Sequence, residues 1–213
     1  MSSGNTRTQK ILKSYPAVVI YNGPTRLAWR GFSWPGYVLG CNFAYRDWPL
    51  THCWAVDRMT VAAIRGELEN KPLPCEFWTK ETALELPPQW QHRPTPGIDS
   101  GSAAIAHALS LTDREVIVIG ADGVCGGDTN TAYQYPWHGK NTKRTIHHRH
   151  RVTLEELTKL NPGRIKIVWP QAVDCLETID FDQALSIITK YTDNEDPEWS
   201  NQSLSRGMLK DQP

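Results

Sequence analysis

The sequence lacks the devices by which a small chain is stapled, anchored or drawn to a charged polymer. Its five cysteines (Cys41, Cys53, Cys75, Cys125 and Cys175) are odd in number, widely spaced and include no C-x-x-C pair. That argues against both a disulfide framework and a zinc ribbon, and the cysteines read as reduced, mostly buried thiols. No stretch approaches the roughly 20 apolar residues of a spanning helix, and the opening MSSGNTRTQK has no apolar run of a secretory leader. The expectation is an intracellular, cytoplasmic protein with no membrane partner. Charge of neither sign is in excess, 23 Lys and Arg standing against 23 Asp and Glu. No overall field recruits nucleic acid, and such a role would need a local basic patch. Absent too are G-x-G-x-x-G, a Walker lysine loop and a G-x-S-x-G elbow, which disfavours ordinary dehydrogenase, NTPase and hydrolase chemistry.

What is present is enough chain for one sizeable core, 213 residues. We read a single domain over residues 15–192 with polar tails at 1–14 and 193–213. Tryptophan is abundant: there are nine, and Trp29, Trp34, Trp48, Trp54, Trp78 and Trp90 fall in the first half among prolines. Such rings either pack a core between short irregular elements or line a ligand pocket or a protein interface.

Ala17 to Tyr21 (AVVIY) is a β-branched run ended by Asn-Gly-Pro, the pattern of a buried strand entering a turn. Tyr37 to Cys41 reads as a second strand, ending at Asn42. Cys53 to Val56 is a third, after which Asp57 can cap an amphipathic helix carrying Met59, Ala62, Ala63 and Leu68. Glu76 to Thr79 suits an edge strand. Four prolines between Leu86 and Gly97 predict an extended loop. Ser100-Gly101-Ser102 then opens an alanine-rich helix to about Leu111, followed by the apolar strand Val116 to Ile119 and by Gly120-Ala121-Asp122, an α/β crossover unit. Residues 123–151 show no periodicity, and a long irregular segment in a compact domain is typically a functional loop or lid. Thr153 with Glu156 predicts a capping box for a short helix to Leu160. A strand from Ile165 to Trp169 and a helix from Asp180 to Tyr191 complete the pattern. Alternating apolar strands and helices predict a Rossmann-like α/β fold, a mainly parallel sheet with helices on both faces.

In such sheets ligands bind beyond the carboxyl ends of the strands, which is where Asn22, Gly23, Asn42, Asp57 and Asp122 fall. Asn22-Gly23-Pro24-Thr25 offers a carboxamide, a turn glycine and a hydroxyl that can cradle a phosphate or ribose, or form an ordinary turn. Asn42 adds a second amide. Ser100, Gly101 and Ser102 present helix-start N–H groups, either an anion site or a simple cap. Asp122 could take a ribose hydroxyl or a metal-bound phosphate, or cap a turn. The 123–151 segment carries Tyr133, Tyr135, Trp137 and His138, then His147, His148 and His150 among Arg144, Arg149 and Arg151. Histidine can serve as a general base, and tyrosine or arginine can stabilise a leaving phosphate; otherwise this is a solvated basic loop. No carboxylate or cysteine accompanies these histidines at familiar ligand spacing, so no metal is assigned.

A strand into Asn-Gly-Pro-Thr, a strand into Cys-Asn, and Ser-Gly opening a helix that leads to a strand ending Gly-x-Asp together resemble bacterial sialyltransferases that use CMP-sialic acid. They equally resemble a set of phage-encoded proteins sharing that core, and the archaeal hydroxymethylpterin pyrophosphokinase-like group. The resemblance spans Ala17 to Trp169 through short motifs. It implies that Asn22 and Asn42 contact the nucleotide and sugar of a donor, and Ser100 with Gly101 its sugar or phosphate. It also implies that Tyr133 and Tyr135 hold the departing phosphate and that His150, or else His148, deprotonates the acceptor hydroxyl. Where that family carries a basic residue just before its Ser-Gly, this chain has Gly97, Ile98 and Asp99. A carboxylate there repels the carboxylate of a sialic acid, so the resemblance points to a nucleotide site before any particular sugar.

Three expectations follow. The first is a glycosyltransferase-like enzyme whose nucleotide or nucleotide sugar is a substrate, with no further cofactor. The second is a nucleotide-binding module without catalysis. The third is a structural or interaction protein, in an infected host cell or a phage particle, that meets a protein partner through its tryptophan-rich half or its tails.

Overall fold

A computed structural model describes residues 12–32, 34–80, 90–92, 99–127 and 144–192. Eight strands form one sheet in the order β5-β4-β3-β2-β1-β6-β7-β8, and every neighbouring pair is parallel. In chain order they are β1 (Ala17–Ile20), β2 (Val38–Cys41), β3 (His52–Trp54), β4 (Glu76–Thr79), β5 (Trp90–His92), β6 (Val116–Ile119), β7 (Ile165–Val168) and β8 (Thr178–Ile179). The helices are α1 (Arg58–Glu67), α2 (Ser100–Leu111), α3 (Asp122–Cys125), α4 (Arg144–Leu160) and α5 (Phe181–Thr192), with 3-10 turns at Pro24–Trp29 and Ala44–Arg46. This is the expected Rossmann-like α/β fold, wound on both faces of one sheet.

The central strands β1, β2 and β6 are buried at every residue, because both of their faces are covered and the β-branched side chains fit the pleat on each. Alternate residues separate the two cores. Ala17, Val19 and Tyr21 pack with Ala103, Ala104 and Ala108 of α2 and with Leu154 and Leu157 of α4. Val18 and Ile20 pack on the opposite face with Trp29, with Val61 and Ile64 of α1, and with Ala184 and Ile188 of α5. Each fully buried branched side chain contributes roughly 1.5–3 kcal/mol. Connections that step outward from β1 to β4 lie on the second face, and those that run back through β6 to β7 lie on the first, as a single crossover handedness requires.

Several local expectations are corrected. Glu76–Thr79 is an inner strand, because Trp90–His92 pairs outside it. The edge strand uses the proline-free residues within the loop expected over 86–97, and the Trp90 ring stacks on Phe77 at 4.8 Å and 18°. Prolines are tolerated beside an edge, where one side of the ladder is unpaired. Asp57 does cap α1, its carboxylate accepting from Thr60 N at 3.1 Å, but the buried face carries Thr60, Val61 and Ile64 while Met59 is 55% exposed. Thr153 is not a cap. It lies inside α4, where its hydroxyl donates to the Arg149 carbonyl at 3.1 Å, as Ser and Thr do within helices. The helix therefore takes over residues 144–151 of the expected lid, and α3 takes residues 123–125. The two-residue β8 carries too little pattern to announce itself.

Candidate functional site at the carboxyl edge of the sheet

Strand order locates the candidate site. The chain steps away from β1 as far as β5 and then returns to the other side of β1 at β6. The segment after β1 leaves toward one face, where Trp29 packs, and the segment after β6 leaves toward the other, where Val124 and Cys125 pack. Two neighbouring loops that part to opposite faces mark the topological switch point of a doubly wound sheet. Asn22, Gly23 and Thr25 stand on one side of it and Asp122 on the other.

The two loops are zipped together. Tyr21 N donates to Ile119 O and Gly23 N to Gly120 O, each at 2.8 Å, which extends the β1–β6 ladder past the strands. Asp122 is 2% exposed. Its carboxylate accepts from Thr25 N at 3.1 Å and from Thr25 Oγ1 at 2.6 Å. Gly23 makes this approach possible: a Cβ there would lie 2.0 Å from Asp122 Oδ2 and 2.4 Å from Gly120 O. Gly120 itself has φ +78, a conformation that suits glycine. Beneath the turn lies Arg26, fully buried. Its guanidinium donates to Tyr21 O at 3.4 Å and to Asp47 Oδ2 at 3.0 Å, and Arg30 approaches the same carboxylate at 3.3 Å. One carboxylate so placed offsets the charge of a buried guanidinium that water does not reach.

A second junction joins the end of β2 to the start of α2. Asn42 adopts φ +57, a region asparagine enters more readily than most residues, and its backbone N–H reaches Trp54 O at 2.8 Å. That turn aims the side chain at α2, where Asn42 Oδ1 accepts from Ser100 Oγ at 2.8 Å. Ser100 Oγ in turn accepts from Val56 N at 3.1 Å, so one hydroxyl ties the ends of β2 and β3 to the helix. The helix start is capped by Asp99, 8% exposed, whose Oδ1 accepts from Gly101 N at 2.9 Å and Ser102 N at 3.0 Å. The Ser102 hydroxyl donates to its other oxygen. Gly101 is required for packing, since a Cβ would lie 2.1 Å from the Tyr21 ring. Burial, and next the Asp99 carboxylate, push the Tyr21 phenol well above its ordinary range.

Of the residues singled out in the sequence, Ser100, Gly101 and Asp122 are buried, Asn22, Gly23 and Asn42 are half-buried, and Thr25 is exposed. Asn22, Gly23, Thr25 and Asp122 are brought together at the switch, and Asn42, Ser100 and Gly101 form the neighbouring junction. Asp57 caps α1 and is exposed. Tyr133 and Tyr135 lie outside the described residues. His148 and His150 are on the first turns of α4, exposed and half-buried respectively. Because α4 carries the chain from the carboxyl end of β6 back to the start of β7, it begins at the carboxyl edge, where it packs against α3. Arg151 of this helix pairs with Glu155 at 2.8 Å and donates to Asp174 O at 3.2 Å.

Sequence reasoning missed Arg26 and Asp47, whose 21-residue separation leaves no local signal. It also passed over Asp99 as a cap, although an Asp directly before a helix start is a readable one. Burial, with the Asp122 carboxylate adding to it, pushes the Cys125 thiol up to about 12, and burial raises Cys41 to about 12 against the opposing pull of Arg26. Among the described residues no three His, Cys, Asp or Glu side chains gather as metal ligands, and no helix is long and apolar enough to cross a membrane. In comparisons with protein-family models, curated proteins and solved structures, nothing matches this chain.

Proposed function

We propose that the protein binds a nucleotide or nucleotide sugar at the carboxyl edge and acts as a glycosyltransferase-like enzyme that passes the sugar to an acceptor hydroxyl. The observation that carries the reading is the switch point: three chemically apt loops, after β1, β2 and β6, meet where doubly wound sheets hold their ligands. In this reading the amides of Asn22 and Asn42, both half-buried, meet the base and sugar. The basic start of α4, with Arg149 and His150, faces the phosphates. His150 is the general base for the acceptor, with His148 as its alternative, and Tyr133 and Tyr135 steady the leaving phosphate. Asp99 refines the ligand. The N-terminal donors of α2 already hold a carboxylate, so the phosphates belong nearer α4 than α2.

The test is turnover of a panel of nucleotide sugars. Donor hydrolysis or transfer should fall about 100-fold or more in His150→Ala, the loss typical of a removed general base. Unchanged turnover in both His150→Ala and Asn42→Ala would remove the proposal.

One observation favours a second reading, a binding or interaction protein without catalysis. Thr25 N, Gly101 N, Ser102 N and Ser100 Oγ are all engaged by the chain's own Asp122, Asp99 and Asn42, and a site so fully satisfied holds its shape without a ligand. A nucleotide sugar recovered intact after long incubation with the protein would select this reading over the first.

A further inference from the structure

The β2/α2 junction spends its hydrogen-bond donors in one direction. Val56 N donates to Ser100 Oγ at 3.1 Å, and Ser100 Oγ donates to Asn42 Oδ1 at 2.8 Å. Burial fixes the sense of the second bond. Ser100 is 5% exposed, and a hydroxyl shut away from water has to place its one hydrogen on an acceptor. Among the described residues that acceptor is Asn42 Oδ1. Turning the amide over would set Nδ2 against Ser100 Oγ, which would then receive two donors while its own hydrogen had nowhere to go. The carboxamide is therefore held with its oxygen toward α2 and its NH2 group away from it.

Other donors at this junction are spent within the chain. Asn42 N reaches Trp54 O, Gly101 N and Ser102 N are taken by Asp99, and the Ser102 hydroxyl donates to the same carboxylate. Asn42 Nδ2 is different. It has no acceptor among the described residues, and it is not one of the unpaired polar atoms sealed from solvent. Its bonding also sharpens it: hydrogen bonds that run head to tail polarise one another, so an amide that accepts at its oxygen is a better donor at its nitrogen.

We infer that Asn42 is a specificity residue that reads polarity: the ligand presents a hydrogen-bond acceptor to Nδ2, an unprotonated oxygen or a ring nitrogen, and a ligand that presents a donor at this point is refused. The inference rests on the nucleotide reading of the carboxyl edge and adds to it the sense of one contact. A ligand donor set against Nδ2 leaves both donors unanswered, and the amide cannot turn over to meet it without stranding the buried Ser100 hydroxyl.

The experiment binds cytidine monophosphate to the full chain and to two variants whose new residue suits the left-handed turn, Asn42→Gly and Asn42→Asp. Aspartate copies the shape of asparagine, keeps an oxygen for the Ser100 hydroxyl and puts a second oxygen where the NH2 group stood. Asn42→Gly should bind about tenfold more weakly than the unaltered chain, the size of one lost hydrogen bond. Asn42→Asp should bind about tenfold more weakly again, because two acceptors then face each other. In nitrogen-15 spectra the side-chain amide pair that disappears in Asn42→Gly belongs to Asn42, and the nucleotide should move that pair in the unaltered chain. Binding by Asn42→Asp as tight as that of Asn42→Gly, or tighter, overturns the inference and leaves the nucleotide reading standing. Should Asn42→Asp fail to fold, the unaltered chain decides: a bound nucleotide that leaves the Asn42 amide pair unmoved overturns it. If neither this nucleotide nor the adenosine, guanosine and uridine monophosphates bind the unaltered chain, the nucleotide reading falls and the inference with it.

Discussion

The two junctions at the carboxyl edge do similar work with different chemistry. At the β1/β6 switch a buried carboxylate, Asp122, takes both donors of Thr25 across a glycine that leaves it no spare room. At the β2/α2 junction a neutral amide and a hydroxyl, Asn42 and Ser100, form the tie, and the carboxylate of Asp99 sits one step behind as a helix cap. The first is rigid through steric contact and charge. The second is held by single neutral hydrogen bonds that a ligand hydroxyl or amide could exchange at little cost. The β2 junction is therefore the more adaptable of the two and the β1/β6 junction the fixed frame.

Substitutions can break that contrast, beginning with the frame. Gly23→Ala should cost about 3 kcal/mol in denaturant unfolding, the upper end for forced overpacking, because both atoms its Cβ meets are held in place. A cost near zero would show that the Asp122 loop yields. Ser100→Ala should cost about 2 kcal/mol, since it strands Val56 N and Asn42 Oδ1 together. At Asn42 two variants separate backbone from side chain. Asn42→Gly keeps the left-handed turn and loses only the amide, while Asn42→Ala loses both and should be about 1 kcal/mol less stable than the glycine variant. Equal stabilities would mean the turn relaxes.

The smallest effect concerns pH and the wall beneath α2. Trp54 Nε1, which can only donate, reaches His107 Nδ1 at 3.0 Å, so that nitrogen accepts and the ring carries its hydrogen on Nε2. The His52 ring meets it edge-on at 4.9 Å. Burial holds the His52 pKa below its ordinary 6.5, with Glu76 opposing the shift. Between the folded and unfolded values the unfolded chain binds more protons. The stability from His52 is therefore complete above pH 6.5 and declines as pH falls through the folded value. Urea midpoints should fall less steeply below pH 6.5 in His52→Gln than in the unaltered chain, by under about 1 kcal/mol in total. An identical slope would remove His52 from the account.

Where the pattern was dense the fold was legible. The runs AVVI and VIVI and the alanine-rich α2 state their partners through composition, and strand ends followed by Asn or Gly-x-Asp marked the edge. What escaped was information held between distant segments. Trp90–His92 became a strand because β4 offered it an edge, Thr153 lost its cap because a longer helix began upstream, and the Arg26–Asp47 pair has no local signature. Seven of the candidate residues converge on two neighbouring junctions, yet their donors are spent mostly on one another. Residue type could suggest Asn22, Thr25, Asn42, Ser100 and Asp122 as polar strand ends, but only geometry could say which of them is already answered.

The most direct measurement is hydrogen exchange of the full chain with and without saturating nucleotide or nucleotide sugar, beginning with cytidine compounds. Bound ligand slows exchange where it suppresses local opening. The expected result is protection over residues 21–26, 42–46 and 120–126, larger on the adaptable 42–46 wall than on the fixed frame. No protection with any nucleotide, or protection confined to another surface, would contradict the assignment of the carboxyl edge as the site.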